Sequence, residues 1–434
     1  MLTLGIIAEY NPFHNGHLYH LQKSKDSTGA KFSIVVMGGH FLQRGEPALL
    51  NKWTRTRIAL SSGIDLVVEM PFVFASQDAR GFAHAGIQLL DALGIVDYIS
   101  FGCEEDRIDR LTELAKLIRT EPPYFQKILR DEVKKGGSFP KIREKAISEY
   151  YQRFGIKVEN TSLSKVKEIL NQPNNVLALE YIKSLQNLKS PMKPVPIKRI
   201  GSKYHQNKLE GQYSSATAIR EKIFQSYLKQ HPISLEGLKS TMPVSSYQII
   251  LNELQNEINP IMLSCFEQAI LSHLRRISTA EIREIHGIRE GLENKLKESA
   301  ISSNTIEKLI QSVKSKRYTR TRIQRILIHS LFHLSHKEIV TFNKRGPLYC
   351  RVLGINENGK RLLKKIKSRS RLPIIISLKN FYKQNKINGD IILQKMLDYD
   401  ILATNLYVLG YNIESARIGG QDYTQKIVQL NHDH

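Results

Sequence analysis

The sequence predicts an α/β protein whose first part holds a parallel sheet and whose second part is mainly helical and basic. Short strand-like runs alternate with helix-like runs between residues 4 and 101, which is typical of βαβ units. Beyond about residue 230 the helical pattern dominates and basic residues are concentrated. A chain of 434 residues has room for two or three domains of about 150 residues each.

The predicted elements follow one another in a regular order. Buried strands are expected at 4–8, 32–37, 66–70 and 98–101, and helices at 16–25, 52–60 and 83–93. Parallel strands require such crossovers. The later elements are a helical stretch over 107–154 with one apolar stripe, a helix at 171–188, a strand at 195–200 and a helix that begins after the Ser/Thr-rich segment 214–217.

The composition is that of a folded protein with a large positive charge. Hydrophobic residues make up 41% and charged residues 24% of the chain, close to ordinary globular usage. The 64 Lys and Arg against 41 Asp and Glu leave a net charge of +23. Such a surplus favours a polyanionic partner, such as nucleic acid, a nucleotide or anionic lipid.

Cysteine usage and hydropathy exclude several classes of protein. Cys103, Cys265 and Cys350 are far apart and form no CxxC pair, so neither a disulfide framework nor a thiolate zinc site is expected. We expect no signal peptide, because the first residues lack its basic lead and small-residue cleavage site. The strongest internal apolar stretch, 64–75, is well short of the ~20 residues of a membrane span. We therefore expect a soluble cytoplasmic protein with no membrane association.

A loop with two histidines follows the first predicted strand and ends where the first helix begins. His14, Gly16 and His17 stand at this junction. A helix N-terminus attracts phosphate, and glycine lets the backbone approach closely. Two imidazoles three residues apart lie on one side of the first turn and can stabilise charge on a nucleotide triphosphate. Taken alone, such a pair is more typical of ordinary, partly exposed histidines, and no further ligand indicates a zinc site.

A second segment strengthens the nucleotide interpretation. Residues 215–220 read SATAIR, and together with HNGH at 14–17 they resemble the HxGH nucleotidyltransferase superfamily, whose second signature often reads Ser-Ser-Thr-x-Ile-Arg. Ala216 departs from it. The resemblance implies a Rossmann-like parallel-sheet domain that binds ATP. Thr217 and Arg220 are suited to phosphate, although Ser215 and Thr217 are also ordinary N-capping residues.

Longer blocks resemble one family within this superfamily. They look like the bacterial tRNA(Met) cytidine acetate ligase family over nearly the whole chain: GIIAEYNPFHNGH at 5–17, FLQRGEPA at 41–48, SFG at 100–102, PNN at 173–175, RI at 199–200 with YH at 204–205, and RVLG at 351–354. The resemblance implies that acetate and ATP form acetyl-adenylate, and that the acetyl group passes to the wobble cytidine of elongator tRNA(Met), giving N4-acetylcytidine. Mg²⁺ is expected with the triphosphate, and no obligate protein partner is inferred.

The expected site residues fall into two groups. The catalytic residues are His14, His17, Thr217 and Arg220. By the same resemblance, ATP would contact Gly102, Asn174 or Asn175, Arg199, Ser215 and the loop residues Ile7, Ala8, Glu9, Tyr10, Asn11, Pro12, Phe13, His14, Asn15, Gly16, His17, Leu18, Tyr19 and His20. Each asparagine is also suited to capping the following helix, and Arg199 alone is equally typical of a surface charge. Glu9 suits polar support or a solvent-facing position, and Cys103 suits a structural role.

Two basic runs, 314–325 and 360–371, contain no acidic residue. The expected RNA contacts are Arg320, Arg322, Arg325, Lys364 and Lys365, and their strength should fall with salt, although charge runs are also typical of solvated faces. We divide the chain into a nucleotidyltransferase-like ATP-binding catalytic domain, 1–230, and a mainly helical basic domain for tRNA binding, 231–434. Segments 41–46 and 52–55 suit a lid or an acyl-acceptor pocket, with Trp53 either stacked on cytosine or in the core.

Two other functions fit part of the sequence. A mononucleotide adenylyltransferase shares the HxGH site, but such enzymes are usually much shorter. A non-enzymatic RNA-binding protein with a nucleotidyltransferase fold would not need the intact motif residues. The sequence does not determine acyl selectivity or oligomeric state.

Overall fold

The computed structural model describes residues 2–135, 139–155, 161–200, 211–229, 235–289, 291–384 and 387–430. The strands are β1 (Thr3–Ala8), β2 (Phe32–Gly38), β3 (Leu66–Met70), β4 (Tyr98–Cys103), β5 (Lys193–Lys198), β6 (Cys350–Ile355), β7 (Ile374–Ile375) and β8 (Val428–Gln429). The helices of the first part are α1 (Asn15–Thr28), α2 (Lys52–Ser61), α3 (Phe72–Ala75), α4 (Ala79–Ala92), α5 (Ile108–Thr120), α6 (Pro123–Lys134), α7 (Phe139–Phe154), α8 (Leu163–Asn171), α9 (Pro173–Leu188) and α10 (Ala216–Lys229).

The second part contributes the other eleven α-helices of the described residues. They are α11 (Val244–Gln255), α12 (Glu267–Arg276), α13 (Thr279–Glu284), α14 (Leu292–Ser302), α15 (Ile306–Val313), α16 (Arg320–Leu331), α17 (His336–Arg345), α18 (Glu357–Arg369), α19 (Leu378–Lys383), α20 (Ile391–Tyr407) and α21 (Gln421–Thr424). In the described ranges, no helix is both long and apolar enough to cross a membrane.

The first five strands form the parallel sheet that the sequence predicts. Their order is β5-β4-β1-β2-β3, and all four neighbouring pairs are parallel. This is the order of a doubly wound fold, in which the strand order reverses at β1 and leaves a crevice between β1 and β4 at the carboxyl ends of the strands. The α/β prediction is therefore confirmed, and the crevice is the place where a ligand is expected.

Both faces of the sheet are covered by helices because successive side chains of each strand point to opposite faces. On β2, Val35 packs in an apolar cluster with Leu21 of α1 and Ile58 of α2. Its neighbour Val36 packs in the other cluster, which includes Leu89 of α4. The two clusters form the two layers of core on either side of the sheet.

Three short strands from the second part extend this sheet. β6 pairs with β3 in the antiparallel sense, with Leu66 opposite Ile355, and β7 and β8 pair with β6. The second part is mainly helical, as expected, but residues 350–355 lie in the same sheet as the first part. The division at 230/231 stays a prediction.

Candidate active site

A cavity of about 280 Å³ lies at the carboxyl ends of β1, β4 and β5. The N-terminal turns of α1 and α10 border it, and the loop after β2 forms another wall. The positive ends of two helix dipoles therefore face one cavity, which favours an anionic ligand. Sixteen of the predicted site residues line it: Ile7, Ala8, Glu9, Tyr10, Asn11, His14, Gly16, His17, Tyr19, His20, Gly102, Asn174, Arg199, Ser215, Thr217 and Arg220.

The two histidines of the HNGH motif are held by the start of α1. The Gly16 N–H donates to Nδ1 of His14 at 3.0 Å, and the His14 N–H donates to Nδ1 of His17 at 3.2 Å. The two ring centroids are 3.9 Å apart. A Cβ on Gly16 would lie 2.8 Å from Cε1 of His14, which is too close for an unshifted ring. Glycine at this position lets the His14 ring fold over the first turn.

These hydrogen bonds determine which ring nitrogen carries the proton. Because Nδ1 of each ring accepts a backbone N–H, the neutral tautomer has its hydrogen on Nε2. Burial, with Arg199 and Arg220 nearby, lowers the pKa of His14 to about 3. Burial and then His14 hold the pKa of His17 well below its usual value. Without a ligand, both residues are neutral donors through Nε2–H.

Arg220 reaches the same region from α10. Its Nη1 donates to the Asn11 carbonyl at 2.9 Å, and its Nη2 lies 3.0 Å from Oε1 of Glu46 and 3.5 Å from Oγ1 of Thr217. Oγ of Ser215 accepts the Ala218 N–H at 3.1 Å. Ser215 therefore caps α10, as its residue type also suggested, while Thr217 and Arg220 line the cavity together.

The asparagine pair at the start of α9 divides between two roles. Asn174 lines the cavity and donates from Nδ2 to Oε1 of Glu104 at 2.6 Å. Oδ1 of the buried Asn175 accepts the N–H groups of Glu104 and Glu105, both at 2.9 Å. Asn175 thus braces the loop after β4, and neither residue is the N-cap, which is Gln172.

The end of β4 leaves space for an arginine. A Cβ on Gly102 would lie 3.4 Å from Cγ of Arg199, so the glycine allows the Arg199 stem to cross the strand end. The next residue, Cys103, is buried, and burial raises the pKa of its thiol to about 12. Its Sγ donates to the Glu105 carbonyl at 2.9 Å. A protonated, buried thiol has the structural role that the sequence favoured.

Five residues of the predicted ATP set are not part of the cavity wall: Pro12, Phe13, Asn15, Leu18 and Asn175. Phe13 is buried, with its ring centroid 4.7 Å from that of Tyr10. The side chain of Asn15 donates to the Ser240 carbonyl at 2.8 Å, and its backbone N–H donates to the Thr241 carbonyl at 3.0 Å. Phe13 and Asn15 therefore hold the motif in place, one by packing and the other by hydrogen bonds.

Sequence reasoning missed one wall of the cavity. Phe82 of α4, Phe101 of β4, and Leu177 and Tyr181 of α9 form an apolar side. In the sequence these residues are indistinguishable from ordinary core positions at helical or strand spacing. The loop suggested as a lid or acceptor pocket does contribute, through Gln43, Arg44 and Glu46. Further lining residues are Ile6, Ile197, Lys198, Ile200, Tyr213, Ser214 and Ala216.

Trp53 does not face the cavity. It is 8% exposed and packs against His40, with ring centroids 5.6 Å apart. The interpretation as a core residue is therefore the correct one, and its position does not allow it to stack on a base in this cavity.

The first basic run lies beside the cavity loop. Arg325 of α16 donates from Nη1 to the Gln43 carbonyl at 3.1 Å. Arg322 donates to the Gly287 carbonyl at 3.0 Å and covers the Tyr318 ring at 4.6 Å. The exposed Arg320 forms a bidentate pair with Glu307 at 2.7 and 2.6 Å. α16 is thus joined to the wall of the cavity.

The second basic run lies at the amino ends of the strands, opposite the cavity. α18 starts next to Asp65, which precedes β3. Just after the end of α18, Arg371 donates its backbone N–H to the Ala92 carbonyl. Lys364 and Lys365 are exposed on this helix. The two sets of expected RNA contacts are therefore separated by the length of the strands.

Comparisons with known proteins agree with this geometry. The model of the HIGH nucleotidyl transferase family matches residues 1–422. The tRNA(Met) cytidine acetate ligase of Halothermothrix orenii is 41% identical over 431 residues, which cover 99% of this chain and 100% of the relative. Crystal structures of Thermotoga maritima TmcAL, apo and bound with alpha-thio ATP, are 33% identical, cover 99% of this chain and 100% of theirs, and superpose with TM-scores of 0.93 and 0.91.

Proposed function

The chain belongs to the HIGH nucleotidyl transferase family and, within it, to the tRNA(Met) cytidine acetate ligases, and we propose that it is an ATP-dependent ligase that makes N4-acetylcytidine at the wobble position of elongator tRNA(Met). Acetate is the acyl donor and acetyl-adenylate the intermediate. The observation that carries the proposal is the convergence of His14, His17 and Arg220 on one cavity at two helix N-termini.

In the first step, an acetate oxygen attacks the α-phosphorus of ATP and pyrophosphate leaves. Negative charge then builds on the phosphate oxygens, where positioned donors lower the barrier. Nε2–H of His14, Nε2–H of His17 and the guanidinium of Arg220 are these donors, and the positive end of the α1 dipole adds to their effect. Arg199, Gly102 and Asn174 border the part of the cavity at β4 and β5, where we place the adenosine.

In the second step, the exocyclic amine of the cytidine attacks the acetyl carbon and AMP leaves. The base must enter from the side of the cavity that ATP leaves open. We place it at the wall formed by Gln43, Arg44 and Glu46, because these residues belong to the loop that contacts α16. The basic helix and the acceptor then lie on the same side.

Mg²⁺ accompanies ATP in this proposal. In the described ranges, no group of three or more His, Cys, Asp or Glu residues could hold a metal ion. A magnesium ion bound through phosphate oxygens and water needs few protein ligands, so the donor set is compatible with Mg²⁺ delivered as the nucleotide complex.

Both basic runs contribute to tRNA binding in this proposal, but Arg325 has a different role. Arg320 and Arg322, together with Lys364 and Lys365, are proposed to contact phosphates of the tRNA. Arg325 acts by holding the Gln43 carbonyl, and so supports the cavity loop. We place the reaction in the cytoplasm, with no membrane and no obligate protein partner.

The test is acetate-dependent exchange of labelled pyrophosphate into ATP by the purified protein, followed by nucleoside analysis of elongator tRNA(Met). We expect exchange with acetate alone and N4-acetylcytidine once tRNA is added. Exchange that requires a mononucleotide acceptor instead of acetate would identify a mononucleotide adenylyltransferase. Binding of tRNA without exchange would identify a non-enzymatic RNA-binding protein.

A further inference from the structure

A carboxylate faces the cavity without an obvious part in binding ATP. Glu9 directly follows β1 and lines the cavity. Two residues earlier, Ile7 packs against α4, where a Cβ on Gly86 would lie 2.6 Å from its Cδ1. On the same side, burial and the negative charge of Glu9 raise the pKa of Tyr181 in α9. Glu9 therefore lies at the apolar wall, beside the loop after β2.

One oxygen of Glu9 is held and the other is available. Oε1 accepts the Gln43 N–H at 2.8 Å. In the part of the chain that the structure describes, Oε2 accepts no hydrogen bond. Glu46, the other carboxylate of the wall, is paired with Arg220 at 3.0 Å. Nδ1 of His14 and of His17 already accepts a backbone N–H.

Several charged groups face Glu9 from the surrounding elements. Arg44 and Glu46 belong to the loop after β2, Arg220 to α10 and Arg55 to α2. Burial raises the pKa of Glu9, while the Gln43 N–H, Arg44 and Arg220 oppose this shift. A carboxylate with a raised pKa accepts a proton more readily than an exposed one.

We propose that Glu9 is the general base of the acetyl-transfer step. The inference rests on the proposed function and adds a residue to it. As N4 of the cytidine bonds to the acetyl carbon, the bond from that carbon to the phosphate oxygen breaks and AMP leaves with the electron pair. One N4 proton passes to Oε2 of Glu9 and from there to solvent.

The charge of the ligand suits this division of roles. ATP and acetate together bring several negative charges near Glu9, which favour its protonated form. Once pyrophosphate has left, acetyl-adenylate carries a single negative charge. The ionised form of Glu9 is then destabilised less by charge repulsion. Glu9 is then available as a base in the second step and is not needed in the first.

The experiment measures the two steps separately in the full-length protein. Acetate-dependent pyrophosphate exchange without tRNA reports the first step. Single-turnover transfer from synthetic acetyl-adenylate to elongator tRNA(Met) reports the second. Glu9→Gln keeps an oxygen that can accept the Gln43 N–H, so the loop should stay in place. Glu298→Gln, on the exposed side of α14, is the matched control.

We expect Glu9→Gln to lower transfer by about 10²–10⁴-fold and to lower exchange far less. Glu9→Asp should recover part of the transfer rate. The wild-type transfer rate should rise with pH to a plateau as the carboxyl ionises, whereas the Gln variant should lose this rise. Glu298→Gln should leave both assays unchanged.

Three results would overturn the inference. Equal losses of exchange and transfer in Glu9→Gln would show that Glu9 supports binding or the fold. Normal transfer in that variant would show that another group, such as the adenylate phosphate, takes the proton. A wild-type protein that makes neither acetyl-adenylate nor N4-acetylcytidine would overturn the proposed function itself, and the two failures are therefore distinguishable.

Discussion

The ring of His14 lies directly over the backbone of Gly16, so close that a single added carbon on the glycine would come within 2.8 Å of Cε1. The same glycine donates its N–H to Nδ1 of that ring. One residue thus supplies both the space and the hydrogen bond that orient the histidine toward the cavity. Gly16 is therefore needed to make room for the His14 ring as well as to let a phosphate approach the backbone.

Gly16→Ala should therefore impair catalysis by displacing His14. A misplacement of about 1 Å at a catalytic group can cost about 10²-fold in rate, and we expect a loss of this order in acetate-dependent pyrophosphate exchange. Gly237→Ala is the control, because its added carbon would meet no atom nearer than 3.8 Å. Equal exchange rates in the two variants would contradict the packing argument.

His14→Ala and His17→Ala should each lower acetyl-adenylate formation by about 10²–10³-fold, the usual cost of removing a donor to a developing negative charge. Affinity for tRNA should be unchanged, because neither side chain lies on the basic helices. Exchange assays and tRNA titrations measure the two properties. His336→Ala, in α17 away from the cavity, should change neither. Normal exchange in both variants would refute the catalytic assignment.

Stability should decrease in acid because several histidines are held neutral. Burial lowers the pKa of His20 to about 4, whereas an unfolded histidine titrates near pH 6.5. The unfolded state therefore binds a proton that the folded state does not, and each such histidine reduces the free energy of unfolding by about 1.4 kcal/mol per pH unit between these values. The stabilisation is present above pH 6.5 and is lost as the pH falls.

The check is urea unfolding of wild type and His20→Gln at pH 7, 6 and 5. The variant should lose stability less steeply with decreasing pH, by the equivalent of about one proton. His333→Gln, at an exposed position, is the control for replacing a histidine by glutamine. Parallel pH profiles of wild type and His20→Gln would show that His20 is not held neutral in the folded protein.

Arg320→Glu combined with Arg322→Glu should weaken tRNA binding and leave exchange intact. Each lost phosphate contact should also reduce the slope of log affinity against log salt by about one. Because Arg320 pairs with Glu307, the swap Arg320→Glu with Glu307→Arg restores the local charge and serves as control. Tight tRNA binding by the double-glutamate variant at several salt concentrations would show that α16 does not contact the tRNA.

Most of the α/β framework could be predicted because it depends on local patterns. The strand at 66–70 agrees with β3 at both ends, and the other early strands differ by a residue or two. β6 was missed, since Cys350–Ile355 is a short apolar run among helices. Its pairing with β3, nearly 300 residues earlier in the chain, and with β7 and β8 makes it a strand.

Part of the cavity lining was predicted, for a similar reason. His14, Gly16, His17, Thr217 and Arg220 belong to two short motifs whose residues are local in sequence, and all five line the cavity. Their convergence on one cavity, the choice of Asn174 over Asn175 as a lining residue, and the contact of Arg325 with the Gln43 loop depend on elements far apart in the chain. The sequence by itself determined the chemical groups and the helix N-termini that present them, whereas only the tertiary structure decided which side chains share the cavity, because burial and orientation arise from packing between distant segments.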